Sequence, residues 1–403
     1  MVKANSKTNL LDLYTPDSMP WSARKYPETG NDHRTSYHRD RDRILHCESF
    51  RKLQHKTQVF VVQEGDFFRT RLTHSIEVSQ IGRSLARMLG LTEPLVEAIC
   101  FAHDLGHAPF GHSGEHILNN LLKAKGGWNS NAYSLTIIDD LELQYCEHRG
   151  LNLTWATREG LARHKTNFDK PSGEVNEYAR YNQPSLEAQV ANTADTIAYS
   201  THDVEDALAA GIISVNDLQE LQTQFWDTAW RKAKKEFRRA HSDSLWPGVD
   251  INLLLNKRTH RHLIDYLIRD VATEFGKRIK HPKIKTLEEA RGLYQPLVSF
   301  SPDVQSQVNR LLDFMTEIVY QGPIVARQHY RAGHILRSLF AALSHKDSLN
   351  ILPLDVQERI NKGSNKSLEI ARFLASLTDR GATDLYAELF EPSERAMGHH
   401  IPL

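Results

Sequence analysis

Apolar residues recur at three- and four-residue intervals along most of this chain, the spacing of one face of an α-helix. The clearest case is 72–89, where Leu72, Ile76, Ile81, Leu85, Met88 and Leu89 mark the stripe. The same period predicts helices over 40–56, 92–104, 114–125 and 186–209, then over 214–240, 251–278, 303–319, 323–344, 354–361 and 366–378. Val59-Phe60-Val61-Val62 is β-prone and runs into Gly65-Asp66, which predicts a short strand or hairpin near 59–68. Residues 1–34 hold Pro16, Pro20, Pro27 and Gly30 without periodicity, and 166–185 holds Pro171, Gly173 and Pro184; both read as irregular, the second as a surface loop. No repeat or linker interrupts the pattern. The expected fold is all-α in three parts: an irregular N-terminal arm (1–34), a helical core (35–210), and a helical C-terminal part (211–403) packed on that core.

The informative positions are polar residues on apolar faces. His74 shares a stripe with Val78, Ile81 and Leu85, and Val96, Ile99 and Cys100 lead at helical spacing to His103. Leu186, Val190, Ala194, Ile197 and Ala198 form an apolar face beside which Asp195, Tyr199, His202, Asp203 and Asp206 run as a polar stripe, the mark of a helix lining a polar cavity. The segment from His103 to Glu115 places three histidines and two carboxylates in thirteen residues. Buried ionisable groups are costly unless paired or bound to a metal. Adjacent residues diverge by about 100° on a helix, so His103 and Asp104 reach one ion only near a helix end, which Gly106 and Pro109 supply. His74 alone would be an ordinary core histidine. In order with His103, Asp104 and Asp195 it becomes part of a two-His, two-carboxylate metal site, with ligands that suit Mg, Mn, Fe, Co, Ni or Zn. His112 and Glu115 lie three residues apart at a helix start, where the carboxylate can raise the imidazole pKa and make a general acid of it; the plainer reading is a carboxylate complementing the helix dipole. Arg71 stands one turn before His74, placed either to grip a phosphate or to pair with an acid.

Composition narrows the function class. Lys+Arg and Asp+Glu are each 50 in 403 residues, a formal net charge of zero. This removes the global electrostatic argument for binding nucleic acid or a membrane surface. Cys47, Cys100 and Cys146 show no C-x-x-C spacing and point to a reducing compartment. With no signal-like or membrane-length apolar run, a cytoplasmic protein is expected. Arg231, Lys232, Lys234, Lys235, Arg238 and Arg239 form a basic cluster that reads as a solvated face, with a weak single-stranded nucleic-acid or effector contact as the alternative. Arg163-His164-Lys165 reads as a helix cap, with contact to phosphates as the alternative, and Arg327, Arg331 and Arg337 as further phosphate or effector contacts.

The ordered motifs Arg41-Asp42-Arg43-Ile44, Phe50 through Phe60, Arg69-Thr70-Arg71-Leu72-Thr73-His74-Ser75, the His103 segment, and Leu186 through Asp206 resemble the HD-domain metallohydrolases, and within them the deoxyguanosinetriphosphate triphosphohydrolase (dGTPase)-like family. The resemblance is firm over roughly residues 35 to 210 and weaker beyond. It implies an HD-domain catalytic core and metal-dependent hydrolysis of 2′-deoxynucleoside 5′-triphosphates (dNTPs) to deoxynucleoside and inorganic triphosphate. It makes His112 and Glu115 the catalytic acid and its partner and places His107 in the active site. It turns Arg71 to phosphate, gives Gln58 to the deoxyribose 3′-hydroxyl, sets Tyr199 under the sugar, and makes Asp203 a sugar-contacting carboxylate. A homo-oligomer, commonly a hexamer, and in some relatives an effector dNTP are also implied. The competing readings are an HD phosphodiesterase or nucleotidase on another phosphate ester, a dNTP-sensing regulator with weak catalysis, and a nucleic-acid binder.

Overall fold

The computed structural model describes residues 21–28, 33–59, 68–169, 176–240, 250–280, 284 and 286–391. The described residues are all-α and contain no strand, only isolated bridges. The first half runs through α1 (Ser36–His46), α2 (Glu48–Lys52), α3 (Arg71–Leu89), α4 (Glu93–Ala102), α5 (Gly111–Leu121), α6 (Ser130–Thr136), α7 (Trp155–Ala162) and α8 (Leu186–Ala209). The second half comprises α9 (Val215–Glu220), α10 (Gln224–Ala240), α11 (Ile251–Arg278), α12 (Leu287–Arg291), α13 (Pro302–Met315), α14 (Pro323–Ser344), α15 (Leu354–Asn361), α16 (Lys366–Ser376) and α17 (Asp379–Phe390). No helix among the described residues is long and apolar enough to cross a membrane.

Helices α3, α4 and α8 pack on one another and position the site. A capping box between Thr70 and Thr73 opens α3 by satisfying its first backbone donors, and Gly90 closes it in the left-handed conformation (φ 72°). Its middle comes close to α4 at Gly82, where a Cβ would lie 2.9 Å from Val96 Cγ1 and 3.0 Å from Cys100 Sγ. Only glycine fits that crossing without displacing α4. Two apolar cores flank the arrangement. One joins α3, α4 and α8 to α11 and α13 through Ile81, Leu85, Ile99, Val190, Ile197, Val271 and Val308. The other joins the opposite side of α4 to α5, α14 and α16 through Phe101, Leu118, Leu336 and Ile370. The C-terminal part therefore embraces the core from two sides.

Several predicted boundaries move, each for a local reason. The stretch 40–56 is broken by Cys47, whose extended backbone (φ −74°, ψ 154°) ends α1 while its Sγ accepts from Phe50 N and starts α2. The helix expected over 114–125 begins at Gly111 and ends at Leu121. The helix expected over 214–240 is two, divided near Gln222 (φ 50°). The one expected over 303–319 gives way after Met315 to a wider turn over Thr316–Tyr320. Helices α6 and α7, of 7 and 8 residues, are too short to show a period, and α17 buries little beyond Asp379 and Ala382. The hairpin expected near 59–68 falls mostly on residues outside the described ones; beside it, Thr57 and Thr70 form an antiparallel bridge. Of the N-terminal arm, 21–28 is irregular as expected, yet anchored: Arg24 donates to Asp40 Oδ1 (2.6 Å) and to Asn152 O (2.5 Å).

Candidate functional site

Three pieces of backbone converge on one corner. The first turns of α3 bring Arg71 and His74. The end of α4 brings His103, its C-cap residue, and then Asp104 on the following turn. The middle of α8 brings Asp195. All five side chains are buried. His74 Nε2 lies 3.0 Å from Asp195 Oδ1, and His103 Nε2 lies 3.5 Å from Asp104 Oδ1 and 3.7 Å from Asp195 Oδ1. The predicted quartet is thus brought together, and its helix-end geometry is the one that the adjacency of His103 and Asp104 requires.

The electrostatics of the corner favour a cation. Burial pushes the His103 imidazole down, toward the neutral form that ligates metals. Its Nδ1 lies 2.7 Å from Cys100 O, an acceptor only, so Nδ1 carries the hydrogen and Nε2 the lone pair. Burial opposes the charge on Asp104, but His103, Arg71 and His107 outweigh it and hold the carboxyl well below its usual range. Asp195 is likewise held low against burial by His164 and His74. His103 Nε2 and Asp104 Oδ2 are buried without a hydrogen-bond partner. Ligand atoms of His74, His103 and Asp104 lie within 4.8 Å of one another. Buried acceptors left unmet are costly, so this donor set fits a divalent ion.

Next to the corner, Arg71 Nη1 donates to Asp104 Oδ1 at 2.9 Å, while its Nε and Nη2 are buried without partners. Glu115, expected beside His112, lies between two histidines. Glu115 Oε1 is in close contact with His107 Nδ1, whereas His112 Nδ1 stands 3.7 Å from Glu115 Oε2. His107 Nε2 in turn lies 3.0 Å from Asp104 Oδ1. Burial and the Arg71 charge push His107 down, but Glu115 and Asp104 outweigh them and hold it up at about 9. His112 is 48% exposed and faces the cavity. The backbone that presents it is unusual: Phe110 (φ 64°) and Gly111 (φ 61°) are both left-handed. A non-glycine residue tolerates that conformation only where its surroundings enforce it. Here Asp379 Oδ1 accepts Phe110 N at 2.8 Å.

A cavity of about 560 Å³ opens from the corner. Gln58, Tyr199 and Asp203 line it as predicted, together with Arg71, His74, Asp104, His107, His112 and Asp195; His103 and Glu115 stand behind its wall. Asp203 accepts from Tyr320 Oη at 2.5 Å, and burial pushes its carboxyl up to about 6. His202 and Asp206, expected on the same polar stripe, face the start of α3 instead. His202 lies 3.1 Å from Glu77, and Asp206 pairs closely with Arg69.

Other residues were not anticipated. Tyr320, Gln321 and Asp379 line the cavity from the C-terminal part, as does Phe168 from the loop after α7. Arg331 lines it too, while Arg327 and Arg337 are exposed on α14. Arg163 does not cap α7 with its side chain; it donates to Tyr178 O, Tyr181 O and Asn182 O. His164, one residue on, is buried beside Asp195, with Asp169 nearby. A histidine between two cations just past a helix was the available signal. The basic cluster on α10 is solvated as expected: Lys232, Lys234, Lys235, Arg238 and Arg239 are exposed, and Lys234 lies over the Trp230 ring.

Comparison with known proteins agrees with this geometry. The HD domain matches residues 71–200, and the phosphohydrolase-associated domain matches residues 298–388. The chain is 39% identical over 372 residues to a protein of Geobacter metallireducens, covering 92% of this chain and 93% of that one. It is 38% identical over 382 residues to one of Geobacter sulfurreducens, covering 95% of each. It is 37% identical over 396 residues to one of Rickettsia prowazekii, covering 95% of this chain and 99% of that one. All three bear the name deoxyguanosinetriphosphate triphosphohydrolase-like protein.

Proposed function

This chain belongs to the deoxyguanosinetriphosphate triphosphohydrolase-like family of metal-dependent HD-domain phosphohydrolases, and from that premise we propose that it hydrolyses dNTPs to deoxynucleoside and inorganic triphosphate. The observation that carries the reading is Arg71. Its guanidinium is fixed to Asp104 yet keeps two buried N–H groups unpaired, in a cavity that runs from the acid-rich corner to Gln58, Tyr199 and Asp203. A phosphate oxygen is the natural acceptor for those groups.

On this reading His74, His103, Asp104 and Asp195 hold a divalent ion, Mn, Mg or another first-row metal. Such an ion, when bound, polarises a phosphoryl oxygen and eases deprotonation of water. Arg71 holds the triphosphate and spreads the charge that develops on it. His112, exposed to the cavity, hands a proton to the O5′ leaving group as water takes its place on the α-phosphorus. His107 and Glu115 form a fixed pair between Asp104 and His112 and set the orientation of both. Gln58 and Asp203 bind the 3′-hydroxyl side of the sugar. Tyr199 closes the space a ribose 2′-hydroxyl would need, so the hydroxyl would lose its water without gaining a partner. Residues 35–210 act as the catalytic core, with the C-terminal part completing the sugar end, in a cytoplasmic homo-oligomer.

The deciding assay supplies each dNTP, each ribonucleotide and a generic phosphodiester with Mn or Mg and follows release of inorganic triphosphate. Triphosphate released from dNTPs well ahead of ribonucleotides supports the reading. Hydrolysis of the diester with no triphosphate from any dNTP replaces it with a general HD phosphodiesterase.

A further inference from the structure

A second set of donors lies behind the first. His164 is 1% exposed, and its Nε2 has no hydrogen-bond partner. Asp195 faces it with Oδ2 at 3.3 Å while presenting Oδ1 to His74 and His103. Asp169 adds its Oδ2 at 3.7 Å. The His103 and His164 rings are 5.1 Å apart, and ligand atoms of His103, His164 and Asp195 lie within 4.8 Å of one another. Asp195 thus offers one oxygen to each side, as a bridging carboxylate does.

The orientation of His164 repeats that of His103. His103 Nδ1 is met by Cys100 O, and His164 Nδ1 by Asn192 Oδ1 at 2.8 Å. A ring whose Nδ1–H is given to an oxygen keeps its lone pair on Nε2, the usual second contact of a metal-binding histidine. At His164 that lone pair confronts two carboxylate oxygens in a buried place. An imidazole lone pair with one carboxylate oxygen of Asp195 and one of Asp169 each within 4 Å of it is repelled by both unless a proton or a metal ion lies between.

We infer that His164, Asp169 and Asp195 form a second divalent-cation site beside the first, with Asp195 shared between them. The inference rests on the reading of His74, His103, Asp104 and Asp195 as the first site. One imidazole and two carboxylates suit an ion such as Mn and leave positions for exogenous oxygens. Asp169 and Asp195 both line the cavity, so those positions open toward the triphosphate. Paired ions of this kind stand about 3.5–4 Å apart and clamp a phosphoryl group from two sides. The competing occupant is a proton on Nε2, which would make His164 a positioning residue for Asp195.

Manganese binding to the metal-stripped full chain separates the two. The wild type should take up about two equivalents of Mn by elemental analysis, with an electron paramagnetic resonance spectrum of spin-coupled ions. Asp169→Asn, at the cavity edge, should keep one equivalent with an isolated-ion spectrum and lose second-ion affinity at least about 10-fold. His164→Gln, checked for folding by circular dichroism, should do the same. A wild type that saturates at one equivalent with an isolated-ion spectrum overturns the second site. If the single equivalent is then lost in Asp104→Ala, the first-site reading survives that failure. A wild type that binds no Mn sinks both.

Discussion

At the metal corner, His74, His103, Asp104 and Asp195 come from α3, the end of α4 and α8, helices that share one apolar core and press together closely enough to require Gly82. At the sugar end of the same cavity the partners come from the other half of the chain. Asp203 meets Tyr320 across 117 positions, and Thr57 meets Asp379 across 322. The corner is dense with charge and buried, whereas the other end mixes aromatic rings, amides and the two carboxylates Asp203 and Asp379. The groups proposed to hold an ion sit where α3, α4 and α8 pack directly on one another. Those proposed to meet the rest of the substrate share their surface with residues of the C-terminal helices.

Asp379 and Lys56 are the joints between the two. Asp379 accepts Thr57 N at 3.0 Å, the Thr57 hydroxyl in a closer contact, and Phe110 N at 2.8 Å. One carboxylate at the start of α17 therefore holds both the Gln58 segment and the strained turn that aims His112. Lys56 Nζ donates to His107 O at 2.6 Å and Ala375 O at 2.9 Å, joining the same two regions.

The largest expected effect is at the corner. Asp104→Ala removes a ligand of the first site and the anchor of Arg71, so triphosphate release should vanish and Mn uptake should fall by one equivalent from the wild-type value. Mn uptake equal to the wild type at unchanged affinity would show that the corner is misassigned. His112→Ala should leave Mn and dNTP binding intact and lower kcat by roughly 10²–10⁴-fold, the range for a lost general acid; near-normal turnover removes it from the chemistry.

At the other end, Tyr199→Ala should narrow the dNTP-over-ribonucleotide ratio of kcat/KM by one to two orders of magnitude, since a stranded hydroxyl costs about 1–3 kcal/mol. An unchanged ratio places the sugar gate elsewhere. Asp379→Ala strands the donors that it now satisfies and should lower unfolding stability by about 1–3 kcal/mol and raise KM, with Mn affinity unchanged. Loss of Mn binding in that variant would mean that the two regions are not separable.

The smallest effect is a pH dependence at the joint. Burial, helped by Arg71 and Lys52, lowers Lys56 from 10.5 to about 7. Between those values the unfolded chain binds one proton more than the folded one, so this group's contribution to stability rises with pH across that window, and below pH 7 its cost is present in full. From pH 7 to 8 the gain is about 1 kcal/mol. Urea unfolding of the wild type against Lys56→Met should show this difference in slope, and parallel curves would exclude it.

The helical class was legible because apolar period survives averaging over long segments such as α3, α8 and α14. It failed where segments span only about two turns, at α6 and α7, and where little is buried, at α17. His74, His103 and Asp104 were legible because each sits on an apolar stripe or at a helix end marked by glycine and proline, and Asp195 because it opens a polar stripe beside an apolar face; the order of the family motifs joined the four. His164 carried a weaker signal, because its charged neighbours Arg163 and Lys165 made the three read as a helix cap.

Local order and periodicity by themselves determine which faces are buried and which ionisable residues are forced inward, because desolvation cost and helical geometry act over a few residues. They set the helices, the four candidate ligands and the position of Arg71 relative to them. Pairing is a different matter. That Glu115 contacts His107 more closely than His112, that Asp195 turns one oxygen to His74 and the other to His164, and that Asp379 clamps a turn 269 positions away depend on distances of a few tenths of an ångström between helices. Only the docking of the two apolar cores sets those distances.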